Sequence, residues 1–138
     1  MTHALLYPVF VQVALTLVLA LLTAGARFLS VSGGKVKIGD IVLGQRAWPP
    51  RIQQLGNSLN NQWESPTLFY AVIAFALITA APTAVLLPLA WAWVALRIVH
   101  AGIHITSNTL QIRFMSFITG FAVLVAMWVV LALHVMGG

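Results

Sequence analysis

From Leu5 to Ala26 the chain carries no charged side chain, and three further stretches are nearly as apolar. About 20 mostly apolar residues are what a helix needs to cross the hydrocarbon of a bilayer, whereas a soluble helix of that length keeps one polar face. The composition agrees. Of the 138 residues, 61% are hydrophobic and 7% charged, against about 45–50% and about 25% in soluble domains. That contrast excludes an ordinary globular domain, a disordered tail and a nucleic-acid-binding arm, so no nucleic-acid partner is expected. There is no cysteine, which removes a disulfide framework, a thiolate metal site and a cysteine nucleophile. The expected fold is an all-α integral membrane protein, one domain over residues 1–138, built as a bundle of four transmembrane helices.

The spans are expected at about 5–30, 51–80, 84–106 and 112–136. The apolar part of the second, Thr67 to Ala80, is too short to cross alone. Its missing length lies in the polar stretch from Arg51 to Ser65, with Pro66 expected to kink the helix just beyond. Ala81-Pro82-Thr83 is a short uncharged turn that makes the second and third helices antiparallel neighbours. A softer break falls at Ser107-Asn108-Thr109. The long connection runs from Ser30 to Pro50 and is punctuated by Gly33-Gly34, Gly39 and Pro49-Pro50. Ala24-Gly25-Ala26 has the small residues of a signal-peptide cleavage site. No Lys or Arg precedes the apolar run, however, and that run is long for a signal peptide, so a retained first helix is expected.

The net charge is +5, and its placement orients the chain. Lys35, Lys37, Arg46 and Arg51 stand against Asp40 alone in the first connection. Arg113 sits by the third, while the second connection and Val135 to Gly138 have no ionisable side chain. The positive-inside rule then puts the first and third connections in the cytoplasm and both termini outside.

Some polar residues lie at membrane depth, where they usually face the bundle interior or a water-filled cavity. On the third helix His104 and Asn108 each fall within about 20° of Arg97, with His100 about 60° aside. Asn57, Asn61 and Glu64 form a second stripe within about 60° on the second helix. Arg27 closes the first helix and Arg113 opens the fourth. A structural reading has Glu64 pairing with one arginine while Asn and His add interhelical hydrogen bonds. It leaves the other arginines without acidic partners. Cations sharing a low-dielectric cleft repel unless an anion joins them, and guanidinium forks suit carboxylates and phosphates. The stripes therefore point to an anionic ligand entering from the cytoplasmic side. A metal site is the competing reading, since His100 and His104 have the spacing of a two-histidine pair and Glu64 could be a third ligand. The neighbouring Arg97 and Arg113 disfavour a dication, so no metal is expected.

The same residues resemble a known family. Asn61-Gln62-Trp63-Glu64-Ser65-Pro66 before an apolar run looks like the N-x-x-E-x-P signature of the MAPEG family, the membrane-associated proteins of eicosanoid and glutathione metabolism. Arg97-Ile98-Val99-His100, then Asn108 and Arg113, resembles that family's R-x-x-H…N…R segment. The resemblance is closest to a bacterial-type member similar to the microsomal glutathione transferases. It implies a homotrimer in a bacterial inner membrane, surrounded by membrane lipids, with glutathione bound between subunits near the cytoplasmic face. It also implies roles for residues. Asn61 and Glu64 would hold glutathione's amino end, and Arg97, His100 and Arg113 its carboxylates or the shape of the site. Arg27, His104 and Asn108 complete the binding set. Arg113 would be catalytic, stabilising a thiolate that attacks a hydrophobic small-molecule electrophile or peroxide. The chain departs from the family pattern at Asn57 and Asn60, where basic residues are common, and at His104 and Phe117, where tyrosines are common. The implied activity is a glutathione-dependent transferase or peroxidase. The alternative is a non-catalytic membrane module that binds lipid or another anionic ligand, or a subunit of a larger membrane complex.

Overall fold

A computed structural model of the chain describes residues 2–44 and 47–137. Arg46, one of the basic residues of the first connection, and Gly138 lie outside them. Among the described residues there are five α-helices and no strand: α1 Leu6–Ser32, α2 Pro50–Asn60, α3 Ser65–Ile78, α4 Thr83–Ile105 and α5 Leu110–Gly137. The segments His3–Ser32, Thr83–Ile105 and Leu110–Gly137 are long and apolar enough to cross a membrane. The span expected over 51–80 is corrected by the structure to two helices, α2 and α3.

That correction has a local cause. Pro66 has no N–H for the carbonyl of Gln62, and in a continuous helix its ring would clash with that carbonyl. The chain responds by tightening. Gln62 N–H donates to the carbonyl of Leu59 at 2.9 Å and Trp63 N–H to that of Asn60 at 3.0 Å. Glu64 then leaves helical geometry at φ −91° and ψ −99°, and α3 starts afresh with Pro66 in its first turn. At 14 residues, α3 is about 21 Å long, so the fourth crossing of the bundle needs α2 as well.

The other breaks follow turn chemistry. α1 stops at Gly33-Gly34, where Gly34 takes φ 72° and Lys35 N–H donates to the Ser30 carbonyl at 2.9 Å. That is the left-handed closure for which glycine is favoured. α3 ends by the same device on a less suited residue. Ala80 has φ 53°, and Ala81 N–H reaches the Ala76 carbonyl at 2.9 Å. After α4, Asn108 adopts φ 51° with its N–H on the Ile103 carbonyl at 2.8 Å. Asparagine visits that region more readily than other side-chain-bearing residues.

The interior is divided lengthwise. One half is apolar: Leu5, Phe69, Ile73, Leu86, Leu124 and Met127 pack together, with Trp93 stacked on Phe69 at 4.1 Å between ring centroids. The half nearer the α1–α2 connection is polar and contains Arg97, His100 and His104, all buried. Outward-facing Leu17, Leu21, Phe28, Ile78 and Met115 are exposed, as expected of surfaces that meet lipid rather than water.

Candidate functional site

The polar half is organised around the last turns of α4. Arg97 is 3% exposed and donates from Nη2 to the Asn61 carbonyl at 2.9 Å, tying α4 to the end of α2. Its Nε is buried without a partner. Two turns on, the Asn61 amide donates to Nδ1 of His104 at 3.3 Å. Gln54 donates to the carbonyls of His104 and Thr106 at 2.6 and 3.3 Å, and Arg51 adds a bond to Thr106 at 3.3 Å. The carbonyls at the C-terminal end of a helix lack intrahelical partners. Side chains of α2 supply them here.

His100 serves α5 instead. Its Nδ1 lies 3.0 Å from the carbonyl of Arg113 and 3.3 Å from the Ser116 hydroxyl. A carbonyl only accepts, so Nδ1 carries a proton. Its Nε2 is buried and unpartnered. The rings of His100 and His104 meet edge to face, 5.8 Å between centroids. Arg113 itself is half-buried and donates from Nη1 to the side-chain oxygen of Asn108, which is exposed. Asn108 thus closes α4 with its left-handed backbone and holds the one arginine of α5 with its side chain.

Two stripes expected on separate helices therefore meet, but only in part. Asn61, Arg97 and His104 form one cluster, and His100, Asn108 and Arg113 a second that joins it through the two histidine rings. Arg27 lies on the other side of α2. Its guanidinium stands over the Trp48 ring at 5.0 Å, and a Cβ built on Gly56 would come within 2.8 Å of its Nη2. Glu64 and Asn57 point outward and are exposed on the single chain. No salt bridge within 4.0 Å forms among the described residues. Neither do three of their His, Cys, Asp or Glu side chains converge as metal ligands, so Glu64 does not join the two histidines.

Sequence reasoning missed three participants. Gly56 gives no sign of a role in the sequence, although its missing side chain is what admits Arg27. Gln54 and Trp48 carried no signal beyond polarity and aromaticity. A fourth omission lies at mid-bundle, where buried Gln12 donates to Gln62 at 2.9 Å and links α1 to the α2–α3 turn. An amide in an otherwise apolar span was the available clue.

The sequence matches a family model, that of the MAPEG family, over residues 5–133. The chain belongs to the MAPEG family. No curated protein and no solved structure matches it. As a MAPEG protein with three membrane-length helices it is an integral membrane protein. The Asn61–Glu64 motif of this MAPEG chain occupies the turn between α2 and α3, its Arg97 and His100 the polar end of α4, and its Asn108 the connection from α4 to α5.

Proposed function

We propose that this MAPEG protein is a glutathione-dependent transferase or peroxidase acting on hydrophobic electrophiles in the membrane. The observation that carries the reading is the arginine set Arg27, Arg97 and Arg113, which has no carboxylate within salt-bridge distance among the described residues. Unmatched guanidinium groups in a low-dielectric setting call for an anion. Glutathione fits that demand, because it brings two carboxylates and one ammonium. The exposed carboxylate of Glu64 and the amide of Asn61 suit the ammonium end. Arg27 and Arg113, with N–H groups left over from the contacts described, suit the carboxylates and the sulfur. Arg97 and His100, being buried, act by position: one fixes the Asn61 backbone and the other the first turn of α5.

Glutathione supplies a thiol nucleophile for an electrophilic carbon or a peroxidic oxygen. Arg113 stabilises the thiolate form, since a fixed positive group beside sulfur lowers the thiol pKa. The outward exposure of Asn57 and Glu64 supports a site completed by a second subunit, within a homotrimer. The positive connections support both termini outside the cytoplasm, and the resemblance to bacterial-type members supports a bacterial inner membrane.

Calorimetric titration with glutathione, then conjugation of a generic aryl halide on the same sample, tests the proposal. Arg113→Ala is expected to lower turnover about 100-fold while binding changes less. Absence of glutathione binding at millimolar concentration overturns the reading.

A further inference from the structure

Away from the arginine–histidine site, two cavities open side by side along α1. The first, about 320 Å³, is lined by Ser30, Lys35, Pro49 and Arg51 among others. The second, about 500 Å³, lies between α1, α2 and the end of α4, lined by Leu21, Leu22, Gly25, Leu55, Ile105 and Thr106. Both fall in the range of about 300–1,000 Å³ usual for small-molecule sites. Ala26, Leu29 and Arg51 line both, so they form one groove. One end of it is cationic. The other runs two turns deeper along α1 and is apolar.

A further observation marks the cationic end as a ligand site. Ser30 is 3% exposed, and its hydroxyl has no hydrogen-bond partner although a helix offers one at the preceding turn. A buried hydroxyl left unpaired costs free energy unless something else completes it. Lys35 and Arg51 beside it bring positive charge with no acidic residue in the lining. Arg51 spends one N–H on the Thr106 carbonyl and keeps others free. The groove thus needs an occupant with an anionic, oxygen-rich head and an apolar tail.

We infer that this groove binds one anionic phospholipid per chain, its phosphate between Lys35, Arg51 and the Ser30 hydroxyl and one acyl chain against Leu21, Leu22, Leu55 and Ile105. Basic pockets between membrane helices hold such heads, each basic side chain adding to the attraction. The lipid lies against Arg51, which closes the C-terminal end of α4. It therefore braces the helix that carries Arg97, His100 and His104 without touching them. This inference does not depend on glutathione chemistry.

The test titrates the purified full-length protein in non-ionic detergent with phosphatidylglycerol and, separately, with phosphatidylcholine, counting bound lipid by native mass spectrometry. One phosphatidylglycerol per chain is expected, in preference to phosphatidylcholine. Lys35→Gln and Arg51→Gln should each weaken it about fivefold, with Lys35→Arg restoring the affinity. Lys35 is exposed, so its replacement leaves the helices intact, which far-UV circular dichroism verifies. Leu55→Trp, filling the apolar end, should weaken the lipid while the head-group cations remain. Equal uptake of the two lipids, or unchanged affinity in both glutamine variants, overturns the inference. So does displacement of the lipid by millimolar glycerol phosphate, which would make the groove a site for a soluble phosphate.

Discussion

Asn108 does two jobs that substitution can separate. Its backbone holds φ 51° and its side-chain oxygen accepts from Arg113. Glycine adopts that backbone freely but has no side chain, whereas alanine lacks the oxygen and also resists the conformation. Relative to Asn108→Gly, Asn108→Ala should therefore lose about 1 kcal/mol of stability. In a chain of this size that corresponds to a fall of about 4 °C in Tm, read by circular dichroism in detergent. The side-chain term is separate. A hydrogen bond to a charged group contributes about 1.5–3 kcal/mol when shielded. Asn108 is exposed, which reduces this to about 1 kcal/mol, equivalent to about a fivefold loss of the held Arg113 conformer. Both variants should then lower glutathione conjugation by that same factor, although only one is markedly less stable. Equal stability of the two refutes the backbone argument. Undiminished turnover in Asn108→Gly refutes the assignment of Arg113's orientation to this contact.

Ala80→Gly should raise stability by about 0.5–1 kcal/mol, because φ 53° suits glycine and strains alanine; thermal melting reads it. Gln12→Leu should cost about 1–2 kcal/mol by leaving Oε1 of buried Gln62 without a donor, and adding Gln62→Leu should return part of that loss. Gly56→Ala should be close to neutral, with a helix-propensity gain of about 1 kcal/mol set against displacement of Arg27. In an Arg27→Ala background the same change should stabilise by about that amount, and a double-mutant cycle measures the difference.

The membrane class and the three long spans were legible because charge at bilayer depth is costly, so its absence over Leu5 to Ala26 speaks directly. Helix ends at Gly34 and Pro82 were legible for a similar reason, since few residues tolerate those backbone positions. The break at 61–64 was half legible. Pro66 signalled a kink, but whether a chain bends or restarts depends on whether the freed carbonyls find partners, which is a tertiary matter. The site divided in the same way. Helical spacing grouped Arg97, His100, His104 and Asn108 on one face. It gave no indication that His100 would serve α5 and Arg97 the α2–α3 turn, because spacing carries no information about neighbouring helices. Arg27 illustrates the limit most clearly. Its seat depends on a missing side chain at Gly56, on another helix.

The interrupted second span has a further physical consequence. α1 and α5, with 27 and 28 residues, run about 40 Å, while apolar α3 covers about 21 Å of a hydrocarbon layer about 30 Å deep and leaves the rest of that crossing to the polar α2. The bilayer meets helices of unequal reach around one small bundle, and mismatch of this kind is relieved by local thinning. The lipid surface should therefore dip beside the Asn61–Glu64 turn, bringing the water boundary inward there. A water-borne thiol and a lipid-dissolved electrophile seldom share a phase. A depression in the membrane next to Arg113 is where they could meet.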